Sequence, residues 1–264
     1  MNPRIEHLVA VAAPLWAGEA EVVRTYWTSP KRTVQTDMLW LARQCFKEFW
    51  GSGVSKYDRG GVFLGVMGKL IETAPAIDTT LDRSEVLDTL EGLKAEFSHY
   101  CAFADVYDEI RPVGAPKLNP HVLEAWAEED ALTALRYKHQ DEHGAVGMRA
   151  CKFTEGGYCT LFSEGMALAG KGGLEEKIAA ACAMVYEDEF GHMLAGMTGI
   201  TTDAGLKDAD WKLIETLVVA QLQKRIYMRN GQFGYPLEEA RIQAIFRGDI
   251  KPIAFDYAKA KLAA

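Results

Sequence analysis

Two short segments carry the same donor pattern, Glu96-Phe97-Ser98-His99 and Glu189-Phe190-Gly191-His192. On a helix, residues three apart stand roughly 60° from each other around the axis, so the carboxylate and imidazole of each segment can meet at one point. Mixed oxygen and nitrogen donors suit iron or manganese better than the thiolate-seeking ions. The spacing alone is a weak signal, and the neighbouring faces strengthen it. The Glu189–His192 stripe runs through Ile178, Ala181, Cys182, Val185 and Gly196, and the Glu96–His99 stripe through Gly92, Phe103, Val106 and Ile110. Both read as core faces. An ionised carboxylate there costs several kcal/mol unless it is neutralised, paired or bound to metal.

A third acid, Glu155, lies on a helical stripe with Met148, Cys151, Phe162 and Met166. The Gly170–Gly173 turn falls midway between it and Glu189: Glu155 is 15 residues before Gly170, and Glu189 is 16 after Gly173. In an antiparallel hairpin the two side chains therefore stand at equal depth, about 22–24 Å from the turn at 1.5 Å per residue. A buried acid facing a buried Glu-x-x-His at matched depth calls for a cation. The Glu96–His99 helix needs a corresponding acid from an earlier helix. Asp37 and Glu48 share a stripe with Leu41 and Gln44; Glu48 is the choice if its helix continues through Gly51 and Gly53 toward Tyr57.

One glutamate on each of two helices and Glu-x-x-His on each of two others resembles the ferritin-like di-iron and di-manganese carboxylate proteins. The order Glu48, Glu96-x-x-His99, Glu155, Glu189-x-x-His192 is similar to that of bacterial di-iron oxygenases. These include aldehyde-deformylating oxygenase, arylamine N-oxygenases, quinone-precursor hydroxylases and the ribonucleotide reductase small subunit. The likeness spans Thr33 to Ile200, with a longer Glu48–Glu96 interval than that family shows. It implies an O2-dependent oxidoreductase holding two iron ions, or manganese with iron. Glu96 and Glu189 would bridge the metals, and His99 and His192 would each take one. Glu96, Glu155 and Glu189 would then act in catalysis through the metals. Phe103, Tyr158 and Phe162 are the candidates to line a site for a small hydrophobic or aromatic substrate. No flavin or nicotinamide signature is present, so electrons would come from an external reductase or ferredoxin. The alternative expectation is a ferroxidase or iron-binding protein of the same fold.

The elements that must position these residues are helices. Apolar residues recur at helical spacing, and no Asn-Gly or Asp-Gly turn joins alternating runs. Helices are expected over Arg4–Thr28, from Thr33, from Ser84 past Tyr107 to the Arg111-Pro112 break, and over His121–Ala169 (opened by Asn119-Pro120), Leu174–Ile200, Asp208–Asn230 and Pro236–Arg247, while Gly60–Thr73 is a glycine-dotted piece leading into a loop. The expected fold is all-α: a single helical domain over 1–264, with a four-helix metal-binding core at about 33–200. Helices before and after that core would build a substrate pocket or a homodimer surface.

Composition narrows the partners. The 264 residues include 48% hydrophobic side chains, enough for a large core, and carry a net charge of −8, which disfavours nucleic acid. No apolar run approaches the roughly 18 residues of a membrane span, and the acid and proline near Met1 are unlike a secretion signal. Five cysteines without a CxxC pair read as reduced core thiols, so the expected location is cytoplasmic. His139 and His143, among Lys138, Asp141 and Glu142, read as a solvated face, and Glu164 as a surface acid or ion-pair partner.

Overall fold

The computed structural model describes residues 2–51, 61–202 and 205–257; the side chains of 61, 62, 192, 195, 201 and 202 lie outside that description. Nine α-helices carry the described chain, with no strand among the described residues. They are α1 (Pro3–Trp27), α2 (Val34–Trp50), α3 (Gly61–Thr73), α4 (Arg83–Ile110), α5 (Ala127–Phe153), α6 (Thr160–Met166), α7 (Gly173–Thr202), α8 (Asp208–Gln232) and α9 (Glu239–Phe246). The fold is all-α, as the periodicity predicts.

Polar side chains fix where several helices start. The Asn2 side chain accepts the Arg4 N–H, and the Asp82 side chain accepts that of Ser84 at 2.8 Å. Thr33 and Thr36 form a reciprocal capping box at α2. Asn119-Pro120 opens only one 3-10 turn, Pro120–Val122, and α5 begins seven residues after Pro120 at Ala127. The α2 helix stops at Trp50, because Gly51 takes φ 75° at its C-cap. It therefore does not run on through Gly51, and residues 52–60, including Gly53 and Tyr57, lie outside the described residues.

The long helix expected from His121 to Ala169 is instead three pieces. At Gly144 the backbone takes φ 52° and ψ −123°, and α5 reverses there. Its second half lies back along the first: Arg136 Nη2 donates to Thr154 O at 3.3 Å and Gln140 Nε2 to Cys151 Sγ at 3.5 Å. That reversal turns the His139 face inward. His139 is buried, with Nδ1 2.9 Å from Gln221 Nε2 of α8, so it is not solvated as expected, whereas Lys138, Asp141 and Glu142 are exposed and His143 is half-buried. A second break follows at Glu155–Cys159, a 3-10 turn with left-handed backbone at Gly156, Gly157, Tyr158 and Cys159.

Packing brings the site helices together. The α2 helix lies along α4, α4 along α7, and α7 against both α6 and the Glu155 turn; α8 lies against α1 and α5. One continuous apolar core joins them, with Trp16, Trp40, Phe103, Phe153 and Ile178 fully enclosed. All five cysteines are free thiols, and four are buried. Glu164 is ion-paired with Arg24 at 2.5 Å. Among the described residues, no helix is long and apolar enough to cross a membrane.

Candidate metal centre

The α4 helix delivers Glu96 and His99 to the same point, one turn apart. His99 is completely enclosed, and its Nδ1 stands 3.8 Å from Glu48 Oε2 of α2 and 3.8 Å from Glu96 Oε2. Glu189 of α7 completes the group: Glu48, Glu96, His99 and Glu189 each offer a ligand atom within 4.8 Å of the others. These four residues could hold a metal ion. Glu155, on its 3-10 turn, lines the same cavity as Glu48, Glu96 and Glu189. The Gly156 backbone beside it comes close to Glu189, so an added Cβ would sit 3.4 Å from Glu189 Oε2. The matched depth of Glu155 and Glu189 is thus realised, though a tight turn rather than a helix carries Glu155. His192 lies on α7, one turn beyond Glu189, and its side chain falls outside the described residues.

The donor chemistry fits a cation. Nδ1 of His99 is buried and makes no hydrogen bond, while its other nitrogen, Nε2, is 2.9 Å from Asp188 Oδ2. Asp188 as acceptor places the ring proton on Nε2 and leaves the Nδ1 lone pair aimed at the carboxylates. A separation of 3.8 Å is too long for a hydrogen bond. It suits two ligands that each lie about 2.0–2.2 Å from a shared ion. Burial and mutual proximity shift the carboxyls upward. Burial, then the charge of Glu189, pushes Glu48 up to about 8. Burial, then the charges of Glu48, Glu189, Glu155 and Asp188, pushes Glu96 up to about 9.

Asp37, the other acid of α2, does not join them. It accepts from Tyr26 Oη at 2.8 Å, Arg32 Nε at 2.9 Å and Trp40 Nε1 at 3.0 Å, which satisfies it near the start of its helix. Of the three aromatic candidates, Phe162 lines the cavity. Phe103 packs in the core between Trp40 and Phe162. Tyr158 stacks on Trp16 and Phe255 in a separate aromatic cluster, its hydroxyl accepting the Asp256 N–H at 3.1 Å.

A layer of charge absent from the sequence reading surrounds the acids. Gln44 donates to Glu48 at 2.5 Å and accepts from Gln232 at 2.8 Å. Lys47, Arg225 and Arg229 line the cavity of about 80 Å³ together with the acids. Glu19 of α1 accepts from Arg225 Nη2 and from Arg229 Nε, both at 2.9 Å, and Lys47 pairs with Glu129 at 2.9 Å. The sequence does hold a signal for this layer. Arg225 and Arg229 are one helical turn apart beside Leu222, Ile226 and Met228, and Glu19 sits in an apolar stretch of α1. Charges at those positions must find one another. Comparison of the chain with protein-family models, with curated proteins and with solved structures finds no match.

Proposed function

We propose that this chain is a non-haem dinuclear-iron oxygenase or oxidase built on a ferritin-like four-helix core. In this reading it activates O2 to oxidise a small organic substrate with electrons from an external reductase or ferredoxin. The observation that carries the reading is His99: a buried imidazole with an unbonded Nδ1 directed at two carboxylates 3.8 Å away, and Glu189 within the same group. Glu48, Glu96 and His99 would hold one ion. Glu155, Glu189 and His192 would hold the second. Bound iron would relay the external electrons and supply the oxygen-binding capacity that side chains lack.

The residues of the chain have their own tasks in this scheme. Asp188 holds the His99 ring in one tautomer and one orientation. Gln44 fixes the Glu48 carboxylate by hydrogen bonding to Oε1, leaving Oε2 toward His99. Phe162, Phe103 and the enclosed core of α4, α6 and α7 keep bulk water from the rear of the cavity.

Metal analysis of the chain produced in iron-replete cells tests the reading. The expected result is about two iron ions per chain, and well under one after His99→Ala. A content near zero in the wild-type chain, with stability unaffected by added iron, would overturn it. Uptake far beyond two ions per chain into a closed shell would favour the iron-handling alternative.

A further inference from the structure

The cavity has two walls of opposite charge. Glu48, Glu96, Glu155 and Glu189 form one; Lys47, Arg225 and Arg229 form the other. The cationic wall is incompletely balanced. Among the described residues outside the acid wall, Glu19 answers both guanidiniums and Glu129 answers Lys47, so three cations share two carboxylates. Two divalent cations would neutralise the four site carboxylates and leave the excess positive charge in place. An uncompensated charge in a buried site costs several kcal/mol, so a negative group is required to complete the cavity.

We propose that the loaded cavity takes the carboxylate of an organic acid against Lys47 and Arg229, making the substrate class small organic acids. This deepens the oxygenase reading and rests on it. Among the described residues, Glu129 engages one of the three Lys47 ammonium donors, and the others serve an incoming oxygen. A volume of about 80 Å³ accommodates a carboxylate head group or two to three waters, not a whole aromatic substrate. Phe162 supplies the apolar contact for the carbon chain. Because divalent cations would add positive charge to the cavity, metal and organic acid must bind with positive linkage.

Calorimetric titration of the full chain tests this, with and without manganese(II), using hexanoate, 1-hexanol and inorganic phosphate as probes. The expected result is hexanoate binding about tenfold tighter to the manganese-loaded protein than to the metal-free protein, with no such dependence for hexanol. Lys47→Gln should weaken hexanoate by about tenfold, and Lys47→Arg should restore it, which separates recognition by the wall from simple ligation of the metal. Arg229→Gln repeats the test if Lys47→Gln does not fold. Equal binding of acid and alcohol, phosphate binding as tightly as hexanoate, or a folded Lys47→Gln that binds hexanoate unchanged would each overturn the proposal. Failure to take up manganese in the same titration would strike the metal reading instead.

Discussion

At the scale of single residues, His99 and Asp188 decide how firmly a cation is held. The side chain of Asp188 is half exposed, with 53% of its surface open, so removing it costs little packing. It nevertheless fixes the proton on His99 Nε2. Asp188→Ala should therefore lower metal affinity by about 10- to 100-fold while leaving thermal stability of the metal-free protein nearly unchanged. A manganese titration followed by calorimetry reads this directly, and an unchanged affinity would mean that the contact merely packs. Glu48 and Glu96 make a second prediction. Both are held above the ordinary carboxyl value of 4.5, at about 8 and about 9, so the folded metal-free chain binds more protons than the unfolded chain across that interval. Unfolding free energy must then fall as pH rises from about 5 to about 9, because the extra protons are lost from the native state. The midpoint of thermal unfolding should fall over this range, less steeply in Glu48→Gln. Saturating divalent metal should replace the protons and remove the trend. A metal-free midpoint that rises with pH would contradict the gathered acids.

At the scale of elements, the turn carrying Glu155 is the feature that positions the fourth carboxylate. Gly157 there has φ 54°, and a Cβ would lie 2.4 Å from Glu19 Oε2 and 2.5 Å from Arg225 Nη2. Gly157→Ala should cost about 2–3 kcal/mol in stability, from left-handed strain plus displacement of the buried ion pair. Urea unfolding measures it, and a loss below about 0.5 kcal/mol would show that the turn relaxes freely. The same turn marks where the sequence stops being readable. Periodicity finds the helices because each buries one face, and the equal spacing of Glu155 and Glu189 from the Gly170–Gly173 turn survives into the structure. The periodic pattern, however, passes smoothly through Gly144 and Gly156-Gly157. A glycine tolerated within a helix and one that reverses it look alike in sequence, since tertiary packing decides between them. That is why His139 reads as solvated but is buried against Gln221. Asp188 escapes notice for a related reason. It neighbours Glu189 but pairs with a histidine 89 residues away on α4.

At the scale of the whole molecule, the buried ion cluster joins helices distant in sequence. Glu19 of α1 meets Arg225 and Arg229 of α8, 206 and 210 residues away, while Lys47 of α2 meets Glu129 of α5. Burial alone would raise the Glu19 carboxyl, yet the two guanidiniums outweigh it and hold the group below its ordinary value. Glu19 is accordingly ionised at neutral pH, and both arginines depend on it. Glu19→Gln leaves two buried guanidiniums without the carboxylate that pairs with both and should cost about 3–5 kcal/mol. Glu164→Gln offers the contrast: its partner Arg24 is mostly exposed, and the change should stay under about 1 kcal/mol. The two variants, unfolded in urea side by side, separate an interior charge network from ordinary surface pairing. Comparable losses in the two would mean that water reaches the Glu19 cluster. The cationic wall would then be screened, and the cavity would have no electrostatic preference between an organic acid and the corresponding alcohol.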